Sequence, residues 1–267
     1  MAVYRGDQTH LQIGPGLAAE LDLHKSMLSF GFPVAGILDE GVHEGFAYFI
    51  EESLGPQTLG DRFEEDLDAR GGIRDEGFAE FMDVVERQTW AQLSMPPRPA
   101  SADDFDHVIG THRAAKRLPD LAARILDALH AAMARLGEFR GTLVHSDLHA
   151  FNMCSGGVID LEGSGWGIAG YDVLTAVYVS GLCDLGDRPW FTTQQTGSYV
   201  AMIDRVFASH GIAPPSTRLG EFLLCRTIAL CSRQHPNAEV SRCRDDMLRT
   251  MLARFEAGRA LLPPIDG

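Results

Sequence analysis

The sequence predicts an α+β protein of two lobes, a small β-rich lobe over residues 1–55 and a larger, mainly helical lobe over residues 56–267. Short β-branched and aromatic runs separated by glycines crowd the first 55 residues, as in strands joined by turns. Through most of the remainder, apolar residues recur at three- and four-residue spacing, the mark of amphipathic helices. A second patch of strand and turn signals interrupts those helices near residues 141–159. A chain of 267 residues is long enough to bury a core for such a pair of lobes.

Residues 2–14 read as a hairpin turning near Gly6-Asp7. Leu17, Leu21, Leu23 and Leu28 lie on a helix that follows Gly14-Pro15-Gly16. Phe46-Ala47-Tyr48-Phe49-Ile50 is a strand that runs through Glu51, Glu52 and Ser53 to a break at Gly55-Pro56. Phe78, Phe81, Met82 and Val85 recur at helical spacing, with Glu80, Asp83 and Glu86 on the other side. Pro119-Asp120 opens a long helix striped by Leu121, Ile125, Leu129 and Met133 and stopped at Gly137. Further helices are expected over residues 171–185, 193–210, 218–234 and 238–262, with Pro263-Pro264 marking a tail. There is no internal repeat and no low-complexity segment.

The most informative stretch is His145-Ser146-Asp147-Leu148-His149-Ala150-Phe151-Asn152. Gly141-Thr142-Leu143-Val144 delivers it as a short strand. After Asn152, Met153-Cys154 and Val158-Ile159 flank a glycine turn, which predicts a hairpin that folds Asp160 back beside Asn152. An Asp, an Asn five residues on and a second Asp after a turn is the arrangement that phosphoryl transfer from Mg-ATP requires. One carboxylate orients the attacking hydroxyl and accepts its proton, while the amide and the other carboxylate hold Mg²⁺ against the phosphates. A lone Asp or Asn in a loop is more often a turn former; the combined spacing makes Asp147, Asn152 and Asp160 the site candidates.

These motifs, HSDLHAFN and VIDLEGSGWGIAGYD, resemble those of the aminoglycoside phosphotransferase and choline kinase-like superfamily, which shares the protein kinase fold. The pattern there is H-G-D-L-H-x-x-N, then I-D-x-E, a Gly and Y-D. This chain has His149, Gly167 and Tyr171-Asp172 at the matching places. The resemblance is specific over about residues 140–180. It implies Asp147 as base, Asn152 and Asp160 as Mg²⁺ ligands, and His145, His149 and Asp172 as supports of the loop, with ATP and Mg²⁺ as cofactors. It places Glu162 near the metal; strand alternation, if the strand continued past Asp160, would turn Glu162 to the opposite side.

The same resemblance assigns the adenine to main-chain groups at Glu51, Glu52 and Ser53. It places Glu20 on the helix that carries the phosphate-lysine's partner, although a solvent-facing residue is as good an account of Glu20. The lysine position itself is Gln12, a donor without charge, which weakens the phosphate contact. The small lobe is expected to be reduced at its N-terminal end, lacking the first strand and Gly-rich loop. Two readings follow. One is an enzyme that phosphorylates a hydroxyl of a small polar, aminoglycoside-, aminosugar- or choline-like molecule. The other is a kinase-like binding protein with a weakened or lost nucleotide site.

Charge narrows the partners. The formal net charge is −14. Residues 1–100 carry 18 acidic and 7 basic side chains, against 19 and 16 in the rest. That balance argues against nucleic acid, which needs a basic footprint. An acidic segment can attract a cationic substrate, but solvated helix faces are the better account of it. No stretch approaches the ~20 apolar residues of a membrane span, and no signal peptide opens the chain. The five cysteines form no C-x-x-C pair, and the scattered histidines lack ligand spacing, so reduced thiols and no zinc are expected. A cytoplasmic protein fits these features, and two lysines among 23 basic residues suggest a bacterial source.

Overall fold

The computed structural model describes residues 2–5, 9–14, 17–183 and 190–259. In chain order the elements are β1 (Ala2–Arg5), β2 (Thr9–Gly14), α1 (Leu17–Ser29), β3 (Ile37–His43), β4 (Phe46–Glu52), α2 (Leu59–Arg70) and α3 (Asp75–Ser94). There follow β5 (Arg98–Pro99), α4 (Ala102–Ile109), α5 (Thr111–Arg117), α6 (Ala122–Leu136) and β6 (Arg140–Val144). The chain ends with β7 (Met153–Cys154), β8 (Gly157–Val158), β9 (Gly165–Ile168), α7 (Tyr171–Cys183), α8 (Thr193–Ser209), α9 (Leu219–Ser232) and α10 (Ala238–Glu256). The expected turn at Gly6-Asp7 and the Pro263-Pro264 tail lie outside the described residues.

Two compact units emerge, residues 1–95 with 147–164, and residues 96–146 with 165–267. Their boundaries differ from the lobe division expected at residue 55, because residues 56–95 and the hairpin after Asn152 pack with the sheet-bearing segment.

In the first unit an antiparallel sheet runs in the order β1-β2-β4-β3. Phe49 of β4 is fully buried and its ring meets His24 of α1 edge-on at 5.6 Å. That contact places α1 on one face of the sheet. β3 is an edge strand with a bulge between Ile37 and Asp39. α2 starts at a capping box in which Thr58 and Asp61 satisfy one another's main-chain N–H. α2 joins α3 through the paired rings of Phe63 and Phe81 and the two-pronged Arg62–Glu80 ion pair.

The β7–β8 hairpin is fixed to this unit by main-chain bonds. Val158 N–H donates to Pro33 C=O at 2.7 Å and Gly156 N–H to Leu54 C=O at 2.9 Å. Val34 and Val158 form a parallel bridge. Arg87 of α3 donates to the Ser155 and Gly156 carbonyls. The register pairs Cys154 with Gly157, so the turn has two residues where the sequence suggested three.

The second unit is helical around the sheet β5-β6-β9. Of the expected stripe, Leu121, just before α6, and Ile125 and Leu129 in it are buried, and Met133 is half-buried. Phe139, just before β6, packs against Phe207 of α8 and Phe222 of α9. Arg117 of α5 reaches the Cys231 carbonyl of α9 and Asp245 of α10, tying three helices together. Cys154, Cys225 and Cys231 are buried cysteines outside any disulfide and Cys243 is a half-buried one; burial raises the Cys231 thiol to about 12.

Gly157 tests how far the hairpin depends on its seat. A β-carbon there would lie 2.0 Å from the Pro33 carbonyl oxygen, a main-chain atom that cannot swing away. Gly157→Ala is expected to cost about 2 kcal/mol or more, in the upper range of overpacking. Thermal denaturation should read this as a melting temperature several degrees lower.

Candidate active site

The site begins where β6 ends. Gly141 to Val144 pair antiparallel with β9 and are buried, so the strand leaves the core at a fixed height. A β-carbon on Gly167 would stand 2.6 Å from Val144, so glycine lets the two strands meet there. His145 is fully buried. Its main-chain N–H donates to Asp172 at 2.7 Å, and the other Asp172 oxygen accepts from Val173 N–H at 2.8 Å. Asp172 sits in the first turn of α7, where the helix dipole favours an anion. The structure thus brings together His145 and Asp172. Ser146 then takes a left-handed conformation at φ 69°, and its carbonyl accepts from the guanidinium of Arg226 on α9.

From Asp147 onward the chain belongs to the first unit. Asn152 Nδ2 donates to the Asp147 carbonyl at 2.9 Å, and Asn152 N–H donates to His149 C=O at 2.9 Å, closing a 3-10 turn. His149 Nε2 lies 3.8 Å from an Asp147 carboxylate oxygen, and its ring stands edge-on to Phe151. The Phe151 backbone and ring press on α2 at Gly60, where a β-carbon would meet the ring at 2.4 Å. The Asp147 side chain keeps 35% of its surface exposed, enough to meet a substrate.

The hairpin returns as expected. Ile159 N–H donates to the Asn152 carbonyl at 3.0 Å, and Asp160 follows at φ 60° with its side chain exposed. Regular pairing ends at Val158, and Ser164 N–H closes a turn on Leu161 C=O. The strand therefore does not continue through Asp160, and the alternation that would have turned Glu162 away does not apply. Glu162 instead acts on Glu20, as does Asp160. The half-buried Glu20 carboxyl is held above the usual carboxylate range by burial first, then by Asp160 and Glu162.

The other candidates lie along the sheet. Gln12 in β2 is registered opposite Phe49; its side chain is outside the described part of the structure. The Glu51 carboxylate is buried and lies 3.7 Å from His24 Nδ1, while His24 Nε2 is 2.7 Å from the Ala35 carbonyl. Burial lowers the pKa of that histidine. The Glu51 side chain is thus committed to the junction of α1 and sheet. Glu52 is exposed and its N–H donates to Gly36 C=O. Ser53 Oγ donates to Gly55 C=O at 3.2 Å.

Asn152, donating through its nitrogen, turns its amide oxygen to other partners. That oxygen and the exposed Asp160 carboxylate are hard donors of the kind Mg²⁺ takes. Among the described residues, no group of three His, Cys, Asp or Glu side chains is arranged to hold a metal. Mg²⁺ is commonly held by one or two protein groups, with phosphates and water completing its shell, so this donor set fits. Arg226 escaped the sequence reading. Its signal was a lone cation inside the apolar run Phe222-Leu223-Leu224-Cys225-Arg226-Thr227-Ile228. Among the described residues, no helix is long and apolar enough to cross a membrane.

Residues 15–206 match the model of the phosphotransferase enzyme family. No curated protein sequence matches the chain. Among solved structures, the aminoglycoside phosphotransferase APH(3'')-Id from Streptomyces rimosus, in complex with ADP and streptomycin, is similar at a TM-score of 0.57 and 17% identity, over 87% of this chain and 90% of that one. An ethanolamine kinase from Plasmodium vivax is similar at a TM-score of 0.60 and 11% identity, over 94% and 83%. A choline/ethanolamine kinase family protein from Mesorhizobium loti gives 0.50 and 14%, over 97% and 87%. The fold is the mixed α+β protein kinase-like fold that the motifs led one to expect.

The raised Glu20 carboxyl makes a pH prediction. In the folded protein the charged form is disfavoured, so stability is greatest below the ordinary carboxylate range and falls as pH rises through it. Glu20→Gln should therefore raise the melting temperature of the ligand-free protein at pH 7. The gain should shrink as the pH is lowered and vanish below about 3, where the wild-type carboxyl is protonated in both states. Melting curves of the two proteins across this range check it.

Proposed function

Because the chain belongs to the phosphotransferase enzyme family, we propose that it transfers the γ-phosphate of ATP to a hydroxyl group of a small polar molecule. The observation that carries the proposal is the hydrogen-bonded grouping of three residues. Asn152 donates to the carbonyl of Asp147, and Ile159, the neighbour of Asp160, donates to the carbonyl of Asn152. Asp147 orients the acceptor hydroxyl and takes its proton as the acceptor oxygen bonds to the γ-phosphorus and the bond from that phosphorus to the β,γ-bridging oxygen breaks, releasing ADP. The Asn152 oxygen and the Asp160 carboxylate hold Mg²⁺, which when bound neutralises charge on the phosphates. His145, His149 and Asp172 fix the loop, and Glu162 adds negative potential beside it. The main chain at Glu51 to Ser53 receives the adenine, and Gln12 and Glu20 are assigned to the phosphates. Functionally, residues 1–55 serve the nucleotide and residues 56–267 carry the catalytic loop and acceptor site.

A cationic acceptor of the aminosugar or choline kind suits the acidic excess of the first 100 residues. It also agrees with the streptomycin complex and the ethanolamine kinase among similar structures. Such a reaction is at home in a bacterial cytoplasm. One feature favours the second reading, a kinase-like binding protein: Gln12 stands where a lysine would supply charge to the phosphates.

Thermal stability with ATP, with and without Mg²⁺, separates the two. A ligand at ~100 times its dissociation constant adds roughly 2.7 kcal/mol. A Mg²⁺-dependent shift is expected, followed by phosphate transfer to aminoglycoside, aminosugar or choline-like acceptors. Absence of any shift at millimolar ATP would favour the binding protein.

Three variants sharpen the assignment. Asp147→Asn should lower turnover by about 100- to 10,000-fold, the range of a lost general base, while keeping the Mg-ATP shift. Asp160→Asn should abolish transfer and lose the Mg²⁺-dependent part of that shift. Gln12→Lys should tighten ATP binding, since a charge-assisted bond is about twice as strong as a neutral one. Near wild-type turnover in either Asp variant would refute the assignment, and unchanged ATP affinity in the lysine variant would refute the placement of Gln12.

A further inference from the structure

We propose that Arg226 is a positioning residue for the transfer reaction, acting through the peptide group that joins Ser146 to Asp147. The inference rests on the function proposed above and adds a residue to its machinery. Arg226 is 1% exposed, the largest of the fully buried side chains, and its Nη1 donates to the Ser146 carbonyl. A buried guanidinium loses its hydration and needs strong acceptors in return. Here one acceptor is a main-chain carbonyl one residue before the proposed base.

That carbonyl has two properties that make its orientation consequential. It shares a rigid plane with the N–H of Asp147, so holding it sets the direction in which the Asp147 backbone departs. It also belongs to a residue at φ 69°, a conformation that glycine adopts freely and an L-residue resists. Left alone, the Ser146 backbone would relax toward negative φ and swing the plane round. The preceding N–H, that of His145, is held by the buried Asp172 carboxylate. An anion thus grips the N–H of one residue and a cation the C=O of the next. The acid fixes where the strand ends, and the guanidinium fixes which way the loop leaves it.

The test compares Arg226→Met, Arg226→Lys and Ser146→Gly, singly and combined. In Arg226→Met, kcat should fall about 100-fold, the loss expected from a misplacement of about an ångström, with KM for ATP changed less than about twofold. Arg226→Lys should recover part of that loss by keeping a charged donor. Ser146→Gly in the Arg226→Met background should recover about tenfold, because glycine holds the left-handed turn unaided. Amide hydrogen exchange at Asp147 and Leu148 should quicken about tenfold in Arg226→Met and return toward wild type with Ser146→Gly, with α10 unchanged.

Unaltered kcat and unaltered exchange in Arg226→Met would overturn the proposal, as would an equal fall with no recovery by Ser146→Gly. If Arg226→Met does not fold, the same comparison is made with Arg226→Lys. If the wild-type chain transfers no phosphate, the functional reading fails by itself, and the exchange measurement still decides whether Arg226 holds the loop.

Discussion

The carboxylate of Asp172 accepts two main-chain N–H groups, those of His145 and Val173, at 2.7 and 2.8 Å, and has no exposed surface. Through it the end of β6 is fastened to the first turn of α7, so the strand reaches Ser146 from a fixed place in its own unit. Removing either partner would leave a buried donor or a buried charge unsatisfied, which costs far more than the net value of one hydrogen bond. Tyr171, beside it, packs its ring against Phe105 of α4, and Tyr199 of α8 donates to the Val173 carbonyl. The knot is therefore set in a rigid wall.

Beyond Ser146 the loop is arranged almost entirely by main-chain bonds. Asn152 holds the carbonyl of Asp147, Ile159 holds that of Asn152, and Val158 and Gly156 hold those of Pro33 and Leu54. The Asp147 carboxylate keeps 35% of its surface and Asp160 is exposed. A site whose geometry is set by its backbone can present charges to a ligand without using those charges for folding.

The loop was legible because its chemistry is local. Asp147, Asn152 and Asp160 lie within 14 residues, and a glycine turn between two short apolar pairs announces the hairpin. Helices α1, α3 and α6 to α10 were legible, whereas α2, α4 and α5 drew no expectation of their own. β3 was not, because as an edge strand it reads Ile37-Leu38-Asp39-Glu40-Gly41-Val42-His43, with no residue buried and no alternation to see. The two-residue turn at Ser155-Gly156 was read one residue too long, since only the seat on Pro33 and Leu54 fixes its register. Compact-unit boundaries were illegible for the same reason. The bridge from Val34 to Val158 spans more than a hundred residues and leaves no mark on either segment. Arg226 lay in plain view as a cation in an apolar helix, but its partner, a carbonyl 80 residues away, has no side chain to betray it.

Glu20 shows how the same arrangement is tuned toward a ligand. Each influence on its carboxyl opposes ionisation: partial burial, Asp160 and Glu162. In a chain with glutamine at position 12, neutralisation of this acidic group falls to whatever binds there. A cation bound at Asn152 and Asp160 would turn the repulsion on Glu20 into attraction, so ligand binding would recover stability that the ligand-free fold forgoes. Such a trade is common where function asks for charge in one place and folding would have dispersed it. By this reasoning the uncharged Gln12 does not make the site inert. Under the proposed function, it would make occupancy depend more strongly on the metal arriving with the phosphates, because position 12 supplies no fixed positive charge.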